Sequence, residues 1–283
     1  MLLRPCLRRS RAPYGFPMTT NAATGLYNFV QFAPLRDDAD AITAADVAGY
    51  QRLGFLAVRE LLDPAAVADV LDALLGVAAD PNDVTIEFEK WATPGEDLLD
   101  GVRKLMRFTG ADPRLEAAAR SPRMLGVVRA LLGAEPELYQ DMALFKPPGG
   151  GREKPWHQDH AFFDVPFGTP ILGVWIALDE ASVDNGCMHV LPGTHREGPV
   201  VHFQRRDFQI CDTEVQTHRD TVVPLPAGGA LFFDGLLHHG TPDNTSTARR
   251  RALQFHYVPA GTPRVPVQQR LDVFGSEGKD ARC

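Results

Sequence analysis

From about Leu138 onward the chain breaks into short apolar runs rich in β-branched and aromatic residues, separated by Gly, Pro and Asn. The runs are Met142 to Lys146, Ile171 to Leu178, Met188 to Leu191, Thr221 to Leu225, Ala230 to Phe233 and Ala252 to Val258. Several short strands with turn signals between them predict a sandwich or barrel. The earlier part of the chain reads as helix. Thr43 caps a short helix in which Val47, Tyr50 and Leu53 recur at helical spacing up to Gly54, and Phe55 to Val58 follows as a strand. Asp63 before Pro64 opens an amphipathic helix through about Val77, and Pro122 to Leu132 is a third, closed by Gly133. The expected fold is mainly β with flanking helices, the chemistry lying inside the β core.

Charge and cysteine content narrow the function classes. A formal net charge of -7 argues against nucleic-acid or anionic-membrane binding, both of which need a concentrated positive surface. A small-molecule partner fits better. Cys6, Cys187, Cys211 and Cys283 make no CxxC pair, so reduced thiols in a cytoplasmic protein are expected. No apolar run approaches the roughly 18 residues of a membrane-spanning helix. At 283 residues the chain can bury one sizeable core, and the even spread of apolar residues predicts a single domain, 41–283. Residues 1–40 read as a partly disordered tail or lead-in; Arg4, Arg8, Arg9 and Arg11 there lack a neighbouring secretory apolar core, and Met18 offers a second start. The stretches Asp80 to Asp100, Pro147 to Lys154 and Arg196 to Arg219 have little strand pattern and read as lids or binding loops.

Within this framework two clusters carry chemistry. In Trp156-His157-Gln158-Asp159-His160 the residues at 157 and 159 share one side of an extended chain, so both can bind one metal while Gln158 points away. Such a triplet alone is weak evidence. It gains weight from Leu237-His238-His239-Gly240-Thr241-Pro242-Asp243-Asn244, which follows the strand Ala230 to Phe233 and precedes Arg249, Arg250 and Arg251. Two imidazoles and one carboxylate leave positions open on an iron ion, as non-haem Fe(II) oxygenases require. A cosubstrate carboxylate would need a buried cation, which any of the three arginines can supply in two-pronged form. His160, His195 and His238 read as supporting histidines, and His256 either as core or as pointing inward. Two other readings of the same triad are a non-catalytic metal-binding β-barrel sensor and a zinc hydrolase.

From about Gly54 to Val258 the chain resembles the phytanoyl-CoA dioxygenase family of Fe(II)/2-oxoglutarate enzymes. The resemblance rests on the His157-x-Asp159 pair, the run Gly173 to Leu178, Asn185-Gly186-Cys187, the stretch Leu191 to His195, and His239-Gly240-Thr241 with Asn244, Ser246 and Arg250. It implies a double-stranded β-helix (jelly-roll, cupin-like) core, with Fe(II), 2-oxoglutarate and O₂ converted to succinate, CO₂ and an oxidised, most simply hydroxylated, small organic molecule. The metal ligands would be His157, Asp159 and His239. In the family the 2-oxoglutarate arginine stands eleven positions after the second histidine, which selects His239 over His238 and Arg250 over its neighbours. Strand alternation agrees, since Arg250, Ala252, Gln254 and His256 share one face. By motif position the resemblance adds Lys104, Met142, Trp175 and Thr241 around the cosubstrate. The Ala-, Arg- and Pro-rich composition favours biosynthetic tailoring over lipid breakdown.

Overall fold

The computed structural model describes residues 25–80, 84–89 and 101–275. Its strands are β1 (Gln31–Phe32), β2 (Leu35–Asp38), β3 (Phe55–Glu60), β4 (Thr85–Phe88), β5 (Val102–Met106), β6 (Pro136–Lys146), β7 (Lys154–His157), β8 (Leu172–Ala177), β9 (Met188–Val190), β10 (His202–Gln204), β11 (Phe208–Ile210), β12 (Thr221–Val223), β13 (Ala230–Asp234), β14 (His239–Thr241) and β15 (Arg250–Pro259). A major sheet runs β2-β3-β13-β8-β15-β6-β5-β4 and a minor sheet β1-β12-β9-β14-β7, with β10 and β11 as a separate hairpin. The fold is a double-stranded β-helix, as expected.

Alternation along the major sheet assigns its two faces. Ala230 and Phe232 of β13, Val174 and Ile176 of β8, and Leu253, Phe255 and Tyr257 of β15 pack in one cluster with helix residues such as Val67, Val70, Leu74, Met124 and Val127. Leu231, Phe233, Trp175, Ala177 and Ala252 point the other way, into a second cluster with Met188, Val190 and Val222 of the minor sheet. One face therefore buries helices, and the other faces the interior between the sheets. Gly173 shows how tight that interior is: a Cβ there would meet the Phe233 ring at 2.4 Å.

The helix Ala44–Leu53 begins with a reciprocal cap in which the Thr43 hydroxyl accepts from the Asp46 N–H and the Asp46 carboxylate accepts from the Thr43 N–H, an arrangement worth about 1 kcal/mol. Gly54 ends it at φ 85°, where a side chain would also strike His195 and Leu237. The helices Pro64–Ala79 and Pro122–Leu132 start and stop close to the positions their caps predict.

Several elements depart from the expectations. β6 starts at Pro136 instead of Met142, because its polar first half is held by ladder pairing to Phe255 through Pro259 of β15. The helix Pro113–Ala119 has an Asp112 cap that the reading passed over. β1 and β2 fall in the stretch read as a lead-in, and β4 lies in the stretch read as an irregular loop. Cys187 is a free buried thiol, and the Cys211 sulfur lies 3.2 Å from the Thr213 hydroxyl. Cys6, Cys283 and the arginines of the first residues lie outside the described residues.

Candidate active site

The two metal-ligand clusters meet because β14 pairs antiparallel with β7, which puts His239 directly opposite His157. Their ring centroids are 4.1 Å apart. β7 ends at His157, and Gln158 continues extended (φ -114°, ψ 132°) before Asp159 opens a 3₁₀ turn. That single extended residue returns the Asp159 carboxylate to the histidine side. Its Oδ1 lies 3.4 Å from His157 Nε2 and 3.5 Å from His239 Nε2. One ligand atom from each residue falls within 4.8 Å of the others, and all three residues are buried.

The surroundings fix which atoms face the metal position. His157 Nδ1 is 2.7 Å from the Pro155 carbonyl and His239 Nδ1 is 2.9 Å from the Leu237 carbonyl. A carbonyl only accepts, so each Nδ1 carries the proton and each Nε2 keeps its lone pair. Burial, reinforced by His239, pushes His157 down to about 4, so it is neutral at neutral pH. Burial alone would raise Asp159, but His239 first and then His256 outweigh it and hold the carboxyl well below its usual range. Its second oxygen, Oδ2, is 2.7 Å from His256 Nε2. On the far side, Gln158 donates to the Gly198 and Leu236 carbonyls, accepts from Val200 N–H, and donates its own N–H to His202 Nε2. Two imidazoles and one carboxylate suit a borderline divalent ion such as Fe(II) or Zn(II).

The other end of the site is arranged differently. Arg250, 2% exposed, has no hydrogen-bond partner at Nε or Nη1 among the described residues. Its guanidinium lies 5.3 Å from the ring centre of Trp175, whose Nε1 also has no hydrogen-bond partner among the described residues. Burial lowers Arg250 to about 10, which still leaves it charged at neutral pH. Opposite it in the ladder, Lys146 is buried with its ammonium donating to the Thr241 and Pro242 carbonyls. Desolvation and then Arg250 push that lysine well below its usual range. Arg251, on the opposite strand face, grips Asp179 with two bonds of 2.8 and 2.7 Å, and Arg249 is exposed. Asn244 ties the connection before β15 by donating to the Lys146, Pro147 and Ala248 carbonyls.

All eight expected site residues line one cavity of about 250 Å³: His157, Asp159, His239, Arg250, Thr241, Trp175, Met142 and Lys104. Lys104 does so with its ammonium 2.8 Å from Glu87. The sequence reading missed Lys146, and it left His256 undecided where period-two alternation from Arg250 points both it and Gln254 inward. His160 and His238 are buried, and neither ring nitrogen of His238 has a hydrogen-bond partner among the described residues. His195 holds the Gln51 carbonyl at 3.1 Å.

The family model for phytanoyl-CoA dioxygenase matches residues 50–252, which include every one of these eight. The chain belongs to the phytanoyl-CoA dioxygenase family. Among similar members, phytanoyl-CoA dioxygenase domain-containing protein 1 of Danio rerio is 32% identical over 178 residues, 60% of this chain and 60% of that protein's length. The match thus spans well under two thirds of that relative. Ectoine dioxygenase of Bordetella parapertussis is 29% identical over 74% of this chain and 72% of its own. The crystal structure of EvdO2 from Micromonospora carbonacea var. aurantiaca, complexed with 2-oxoglutarate, superimposes with TM-score 0.65 at 27% identity, covering 80% of this chain and 94% of that one. No helix among the described residues of this family member is long and apolar enough to cross a membrane.

Proposed function

We propose that this protein is an Fe(II)- and 2-oxoglutarate-dependent dioxygenase that hydroxylates a small organic metabolite. When bound, iron supplies the redox chemistry that couples O₂ to decarboxylation of 2-oxoglutarate and oxidation of substrate. His157, Asp159 and His239 would hold it, and the bonds to the Pro155 and Leu237 carbonyls and from His256 keep their ligand atoms aimed at one point.

Arg250 is the observation that carries the reading. Its buried guanidinium has no hydrogen-bond partner at Nε or Nη1 among the described residues, a costly state that becomes favourable when a carboxylate enters and takes both prongs. The far carboxylate of 2-oxoglutarate meets that need, with Trp175, Thr241 and Met142 as neighbouring wall. Neither a metal sensor nor a zinc hydrolase requires such an anchor. A cavity of about 250 Å³ suits a small metabolite better than a long lipid chain, and a biosynthetic tailoring step is the setting this favours. The kinship with ectoine dioxygenase and with EvdO2 supports the same chemistry.

The test is a succinate-release screen of candidate metabolites with Fe(II), 2-oxoglutarate and O₂, read beside mass spectrometry for an added oxygen atom. Product formation that continues under strict exclusion of O₂ would overturn the proposal.

A further inference from the structure

Away from the metal ligands, the cavity wall carries Arg103, Lys104, Arg152 and Lys154. Three carboxylates answer them. Lys104 is 2.8 Å from Glu87, Lys154 is 2.9 Å from Asp207, and Arg152 pairs with the buried Glu89. Arg103 has no carboxylate of its own and shares two with the lysines. Its guanidinium lies 3.4 Å from Glu87 and 3.7 Å from Asp207, both already engaged by lysines, and it closes no hydrogen bond to either among the described residues. Its side chain is 15% exposed, so part of its hydrogen-bonding capacity is left for water or a ligand.

The inner end of the cavity does not need this charge. Divalent iron and Arg250 would balance Asp159 and the two carboxylates of 2-oxoglutarate, while Lys146 is turned to two backbone carbonyls. Among the described residues four cations thus face three carboxylates at the outer end, and this surplus positive charge favours entry of an anion. The same cavity also has an apolar wall, formed by Met106, Leu144 and Phe162, and the Phe162 ring stands edge-on to His157 at 5.6 Å. A carbon skeleton laid along Phe162 would reach the metal ligands.

We propose that Arg103 binds the primary substrate and that this substrate is a small organic carboxylate, its acid group held by Arg103 and its carbon chain lying along Phe162 toward the metal. The inference rests on the Fe(II)/2-oxoglutarate reading above. A guanidinium held only by two long ion pairs, each shared with a lysine, can still take one carboxylate in charge and in fork geometry.

The test uses matched pairs, hexanoate with hexanamide and phenylpropionate with phenylpropionamide, titrated by calorimetry into anaerobic Fe(II)-loaded protein saturated with 2-oxoglutarate. In the wild type at least one acid should bind on the order of 10-fold or more tighter than its amide. In Arg103→Gln that preference should fall to about unity, and Arg103→Lys should restore part of it. Wild-type protein that takes up iron and 2-oxoglutarate but shows no acid preference in any pair would overturn this inference alone, whatever the variants do. The same holds for a preference that survives intact in a folded Arg103→Gln protein. Failure of the wild type to bind iron or 2-oxoglutarate would instead overturn the underlying reading, and this one with it.

Discussion

The two ends of the cavity are built on opposite plans. At the metal end His157 Nδ1, His239 Nδ1 and Asp159 Oδ2 all have protein partners at 2.7 to 2.9 Å. At the arginine end, Arg250 Nε and Nη1 and Trp175 Nε1 have none among the described residues. The contrast separates two ways of preparing a site. The metal end is held in its working geometry before anything binds, whereas the arginine end carries an unmet electrostatic demand that a ligand must fill. Substitutions at the first should therefore disturb geometry, and substitutions at the second should trade binding against stability.

The largest effect is expected at the ligands themselves. His157→Ala or Asp159→Ala should reduce succinate release to background and abolish stoichiometric Fe(II) uptake, measured by metal analysis after desalting. Arg250→Met comes next, weakening 2-oxoglutarate binding on the order of 100-fold by calorimetry. The same substitution should leave the metal-free protein as stable or more stable, by roughly 1–4 kcal/mol in denaturant titration, because it removes an uncompensated buried charge. A loss of stability in that variant would break the contrast between the two ends. His256→Ala should cost about 10- to 100-fold in Fe(II) affinity, since it releases the Asp159 oxygen that fixes the carboxylate's orientation.

These expectations draw on features of unequal visibility in the sequence. The major-sheet strands are legible because they are buried on both faces and read as unbroken apolar runs; Ile171 to Leu178 contains β8 almost to the residue. The helices are legible from Thr43, Asp63 and Gly133, whose caps act locally. β7 and β14, the strands that bring the ligands together, carry no such signal. One is Lys-Pro-Trp-His and the other His-Gly-Thr, too short and too polar for a period to show, and their pairing is set by tertiary contact. The choice of candidate ligands rests on the spacing of His157 and Asp159 and on the register from His239 to Arg250 that the family resemblance implies. Lys146 was hidden by its position at the end of an apolar run, where a lysine ordinarily faces water. The pairing of Lys104 with Glu87 was hidden because β4 falls in a stretch that reads as loop.

A further expected effect concerns pH. Burial pushes His202 down to about 3, and its ring accepts from the Gln158 N–H while its Nδ1 lies 2.7 Å from the Val200 carbonyl. It is neutral when folded and, near its ordinary value of 6.5, takes up a proton when unfolded. The unfolded state thus binds more protons between about pH 6.5 and 3. Stability is fully present above that window and falls with acidification by up to about 1.4 kcal/mol per pH unit from this residue. His202→Gln should flatten the acid limb of the metal-free protein's stability profile by that amount.

The most direct measurement of the whole account is anaerobic calorimetry of 2-oxoglutarate binding to the wild-type protein, with and without Fe(II), repeated in Arg250→Met. One site per chain is expected, strengthened by iron and weakened by loss of the guanidinium. Binding that ignores both the metal and Arg250 would contradict it.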